Sequence, residues 1–132
     1  MGGAQLTAVL LDTRVRARSL IDDPHLSQRT REALASADDV IVSAIVFFEI
    51  AQKVRIGKWP EMTSYVDRLL PLAEGQHAHV TSLEPEDFLL AGTMEWSHRD
   101  PFDRLLAASA LRRRAPIVSA DAVFDALLAR IW

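Results

Sequence analysis

With 132 residues, 49% hydrophobic and 25% charged, the chain is long enough to bury one core and too apolar to be intrinsically disordered. A formal charge of −3 argues against holding nucleic acid by electrostatics alone, yet leaves room for a site whose local sign a bound cation reverses. The absence of cysteine excludes disulfides and thiolate metal ligands.

Ala8–Leu11 is a short apolar run that reads as a buried strand. It is far too short to cross a bilayer, and no basic-then-apolar leader precedes it, so cytoplasm is the expectation. After Asp12 comes a polar segment, and Ser27 then caps a helix expected through about Ala37. Val40-Ile41-Val42 is a second buried strand, and Ser43 caps a longer apolar-periodic helix that stops near Gly57. A helix between Glu61 and Leu70 and a strand from His79 to Leu83 follow. Glu84-Pro85 and Asp100-Pro101 each open a helix, the second reaching the basic run Arg112–Arg114. Ile117-Val118 and Ala129–Trp132 supply a fourth and a fifth strand. Without repeat or linker, residues 1–132 read as a single α/β domain, a mostly parallel sheet with helices on both faces.

Parallel α/β sheets bind ligands beyond the carboxyl ends of their strands. Asp12 follows one strand directly and Asp121 stands three residues after Val118, so both project from the same edge. Glu49 lies on the stripe of Ile45, Val46 and Ile56, and Asp103 lines up with Leu106, Ala107 and Ala110. A carboxylate on a core-facing stripe is costly unless it is paired or binds metal. Four acids at one rim suit a hard cation such as Mg²⁺ or Mn²⁺. Each acid also has a structural explanation: Asp12 a turn, Glu49 a pair with Lys53 one turn on, Asp103 a helix dipole, Asp121 a cap. Four such coincidences are required at once. Asp100 itself reads as a helix cap.

Other chemistries find no support. Phosphate-binding glycine loops and the GxSxG elbow are missing. His77 and His79 read as a surface pair along a strand, and Trp59, Trp96 and Trp132 as packing residues. A haloacid-dehalogenase-type site would want an acid where Arg14 stands, and a receiver domain would want a late lysine.

The stretches LLDT (10–13), SAIVFFEIAQKVRIGKW (43–59), HRDPFDRLLAASAL (98–111) and SADAVF (119–124) resemble the PIN-domain toxins of VapBC-type toxin–antitoxin pairs. The likeness runs over nearly the whole chain. It implies a three-layer α/β/α sandwich, Mg²⁺ or Mn²⁺ dependence, a homodimer and a cognate VapB-like antitoxin. It further implies endoribonuclease activity in which a metal-activated water cleaves RNA to 5′-phosphate and 3′-hydroxyl ends. Carried over by position, the family's acids fall on Asp12, Glu49, Asp103 and Asp121, with Ser119 hydrogen-bonded among them. The chain departs from the family pattern just after Asp12, where a histidine and a mostly apolar helix are usual. Here Arg14 and Arg18 stand one turn apart, positioned to meet RNA phosphates or to pair with the acids. Phe48 also stands where tryptophan is usual. A catalytically silent PIN-like interaction module is the alternative.

Overall fold

Consecutive apolar residues of a strand point to opposite faces, so both can be buried only where both faces are covered. The computed structural model, which describes residues 7–132, has five strands in one sheet. They are β1 (Ala8–Leu11), β2 (Asp39–Ser43), β3 (His79–Thr81), β4 (Ile117–Val118) and β5 (Arg130–Ile131). The order is β3-β2-β1-β4-β5, and every neighbouring pair is parallel. Leu10 and Leu11 face opposite ways and are 0% and 1% exposed. Helices therefore close both faces, giving the expected three-layer α/β/α sandwich.

The helices are α1 (Thr13–Leu20), α2 (Gln28–Ser36), α3 (Ala44–Arg55), α4 (Leu69–Gly75), α5 (Pro85–Thr93) and α6 (Pro101–Arg113). Side-chain caps fix where they start. Asp12, Ser27, Ser43 and Asp100 each accept from an N–H of the first turn. Glu84 and Asp87 cap α5 reciprocally. The core joins both layers to the sheet through Val46, Ile50, Leu106, Ile117 and Phe124, all nearly inaccessible. Among the described residues no helix is long and apolar enough to cross a membrane.

The segment after Asp12 is a helix, on which Arg14 and Arg18 do stand one turn apart, because Val15 and Ala17 bury against the core and Asp12 caps it. Three local expectations need correction. The helix expected between Glu61 and Leu70 is a 3₁₀ stretch, Pro60–Arg68, followed by α4. Pro71 explains the break: its ring would clash with the Asp67 carbonyl in a continuous α-helix, whereas in the first turn of α4 its missing N–H costs nothing. His77 lies outside β3 in the left-handed region (φ 56°), so the two histidines do not share a strand, and His79 faces Asp39 at 3.2 Å. Ile56 caps the end of α3 and is 49% exposed, leaving Val46, Glu49 and Ile50 as its buried residues.

The chain crosses from β3 at one edge to β4 on the far side of β1. The strand order thus reverses between β1 and β4, which opens a crevice at their carboxyl ends. Asp12 and Asp121 both emerge there.

Candidate active site

Asp12 leaves β1 and at once caps α1, its Oδ1 accepting the Val15 N–H at 2.7 Å. Glu49 reaches the same place from α3. Although only 8% exposed, it is fully engaged: the Thr13 hydroxyl donates to Oε1, and Lys53 Nζ lies 3.0 Å from Oε2. Asp103 sits in the first turn of α6, with His98 Nε2 2.7 Å from its Oδ2. Asp121 caps the 3₁₀ turn Ala122–Ala126 by accepting the Val123 N–H at 3.0 Å. Its own N–H donates to Ser119 Oγ at 3.0 Å, and Ser119 is completely buried. Asp100 caps α6 through the N–H groups of Phe102 and Asp103, at 2.8 and 3.1 Å.

The four expected acids, joined by Asp100, line a single pocket of about 190 Å³ whose wall holds two cations, Arg14 and Lys53. Its floor reaches Phe124, which is 1% exposed. Structural roles coexist with the site: Glu49 pairs with Lys53, Asp121 caps a turn and Asp103 stands in the first turn of α6 as expected, while Asp12 is a helix cap rather than a turn residue. One residue can serve both ends, because a cap engages one carboxylate oxygen and leaves the other.

The electrostatics are those of acids crowded out of water. Burial pushes the Asp12 carboxyl up to about 6. The charges of Asp103 and Glu49 add to that rise, while the Ser119 hydroxyl and the Val15 N–H oppose it. Asp103 is raised too, by burial first and then by Asp100 and Glu49, against the pull of His98. Oxygen-only donors that destabilise one another's charge are the chemistry a hard divalent cation relieves, so these residues fit Mg²⁺ or Mn²⁺. Among the described residues, however, no three acidic or imidazole groups are gathered closely enough to grip one ion as they stand. Lys53 and His98 hold two of the acids instead.

Two partners of the acids, Thr13 and His98, carry no sequence signal of their own, whereas the pair of Lys53 with Glu49 follows from their spacing on α3. The arginines of α1 separate by environment. Arg14 is exposed on the pocket wall, and Arg18 turns to Asp23 at 4.0 Å. Arg16 is 5% exposed, with one guanidinium nitrogen unpartnered among the described residues.

Comparison with known proteins places this geometry in a family context. The model of the PIN domain matches residues 9–128. Ribonuclease VapC22 of Mycobacterium tuberculosis (strain ATCC 25618 / H37Rv) is 28% identical, with 88% of each chain covered. The crystal structure of VapBC2 from Rickettsia felis, bound to a DNA fragment from their promoter, superposes with a TM-score of 0.69 at 17% identity. That match covers 94% of this chain and 97% of the other. FitAcB from Neisseria gonorrhoeae gives a TM-score of 0.66 at 22% identity, over 92% and 95% of the two chains. At such identities the solved structures speak for the fold.

Proposed function

The chain belongs to the PIN-domain family, and from that we propose that it is a divalent-metal-dependent endoribonuclease, the toxin of a toxin–antitoxin pair built as one PIN domain. The observation that carries this reading is the meeting of Asp12, Glu49, Asp103 and Asp121 in one pocket at the switch point of the sheet. The resemblance to Ribonuclease VapC22 supports the choice of RNA as substrate.

Asp12, Glu49 and Asp103 would hold Mg²⁺ or Mn²⁺, with Asp121 supporting directly or through water. Bound there, the ion would supply an activated water and neutralise charge on the phosphodiester; the family resemblance implies 5′-phosphate and 3′-hydroxyl ends on the cleaved RNA. The chain's own part is arrangement. Thr13 fixes the Glu49 carboxylate, His98 steadies Asp103, and Ser119 ties the turn of Asp121 to the end of β4. Arg14, exposed on the pocket wall, offers an approaching phosphate its first cation. The structures of VapBC2 and FitAcB, similar in fold, support a VapB-like antitoxin as partner; a homodimer and a cytoplasmic place belong to the proposal through the family resemblance alone. The competing reading, a catalytically silent interaction module, draws on Lys53 and His98 already holding two of the acids.

The test is incubation of total RNA with the wild type and with an Asp12→Asn, Asp103→Asn double variant, in Mg²⁺ or Mn²⁺ and in EDTA. Cleavage by the wild type alone, lost in EDTA, is the expected result. Intact RNA in every tube, with neither metal raising the wild type's melting temperature, would hand the case to the silent module.

A further inference from the structure

The charge around Glu49 has a consequence for substrate capture. Five carboxylates in the pocket face two cations, Arg14 and Lys53, so a phosphodiester arriving there meets a repulsive field that one divalent ion offsets only in part. Lys53 is held in place by two contacts. Its Nζ is 3.0 Å from Glu49 and 4.8 Å from the centroid of the Trp59 ring, and its side chain is 26% exposed. The Trp59 ring faces the ammonium itself and gives it a second hold at the pocket wall that does not depend on Glu49. A metal that takes the Glu49 oxygens removes the ammonium's acidic partner and leaves the ammonium beside the pocket, free to accept another anion.

We propose that Lys53 is an exchangeable counter-ion: it neutralises Glu49 in the metal-free protein, and once the carboxylate turns to metal it binds a phosphate of the RNA. The proposal rests on the metal-site reading above and names a phosphate-binding residue within it. It makes two effects of one substitution run in opposite directions. Without the lysine, Glu49 keeps only the neutral Thr13 hydroxyl and no cation competes with the ion for it, so metal binds more tightly. RNA then lacks one cation, so nucleic acid binds more weakly, and only when metal is present.

Lys53→Met keeps an unbranched side chain and removes the charge, and Lys53→Arg keeps the charge. Mn²⁺ affinity is measured calorimetrically for all three proteins. Affinity for a labelled mixed-sequence RNA oligonucleotide is measured by anisotropy with and without Ca²⁺, an oxygen-preferring ion, and the RNA is checked for integrity afterwards. Lys53→Met should bind Mn²⁺ several-fold more tightly than the wild type. In Ca²⁺ it should bind RNA several-fold more weakly, with a salt dependence shallower by about 0.7, the share of one phosphate contact on a single strand. Without Ca²⁺ its RNA affinity should match the wild type, and Lys53→Arg should restore both quantities. Unchanged Mn²⁺ affinity, or an RNA defect of equal size with and without Ca²⁺, overturns the exchange. A wild type that binds neither ion overturns the metal-site reading and the exchange with it.

Discussion

Asp12 shows most clearly how one residue is asked to do two things. As a cap it needs an oxygen facing the Val15 N–H, and as a ligand it needs to be ionised in a place where burial and two neighbouring acids oppose ionisation. Its pKa is raised from 3.8 to about 6, so its effect on the metal-free fold is full below pH 3.8 and is lost as the pH rises through about 6. Above that window the ionised side chain costs up to about 3 kcal/mol. Asparagine keeps the capping oxygen and removes the charge. The Asp12→Asn variant should therefore melt higher than the wild type at pH 7 without metal and lose that advantage towards pH 4. It should also show no stabilisation by Mn²⁺, whereas the wild type's affinity for Mn²⁺ rises as the pH climbs through 6. Thermal melts at several pH values, with and without the ion, check all of this, and a wild type more stable than the variant at pH 7 in EDTA would contradict it. The position of this acid was legible in the sequence because it directly ends an apolar run. The hold on its neighbours was legible only in part: the Lys53 pair with Glu49 follows from their spacing on α3, whereas Thr13 meets Glu49 only once α1 packs on α3, and His98 meets Asp103 only through the fold of the chain ahead of α6. The burial of Arg16 was hidden for a related reason: in an eight-residue helix with arginines at alternate positions, periodicity gives no hint of which one turns inward.

Among the elements, the connection from α5 to α6 matters most for the site, because it delivers His98 to Asp103. Arg104, one residue beyond Asp103, organises that connection. Its guanidinium donates to the carbonyls of Ala91, Met94, Trp96 and His98 at 2.7–2.8 Å. Trp96 packs over the result, 4.9 Å from His98 and 5.8 Å from Phe124 by ring centroids. A segment with so little regular structure keeps its shape only because its carbonyls have donors. Arg104→Met should thus cost roughly 2–4 kcal/mol of stability, the penalty of leaving part-buried carbonyls unpaired. Denaturant unfolding followed by tryptophan fluorescence measures it, and a loss under ~0.5 kcal/mol, the range of an ordinary surface change, would show that the loop holds itself. The helix itself was readable from Asp100-Pro101. The arginine's work was not, because nothing local distinguishes a solvated guanidinium from one enclosed by the chain that precedes it. Proline was likewise visible at position 71, but its consequence, a 3₁₀ stretch ending in a fresh helix, depends on how residues 60–68 pack against α3.

At the scale of the molecule, the alternation of apolar runs and capped helices was enough to give a parallel sheet covered on both faces. That in turn put Asp12 and Asp121 on one rim before any contact was known. The strand order was beyond the sequence, and the order is what makes the rim a crevice: β4 beside β1 brings the ends of two distant strands together. Glu49 and Asp103 complete the ring because α3 and α6 pack near that reversal. Crystals soaked in Mn²⁺ and measured for anomalous scattering would test most directly whether these acids form a metal site. The expected result is a peak in this pocket within coordinating distance of Asp12, with Glu49 released from Lys53. Diffraction showing no peak there, with Glu49 still on Lys53 and Asp103 still on His98, would contradict it.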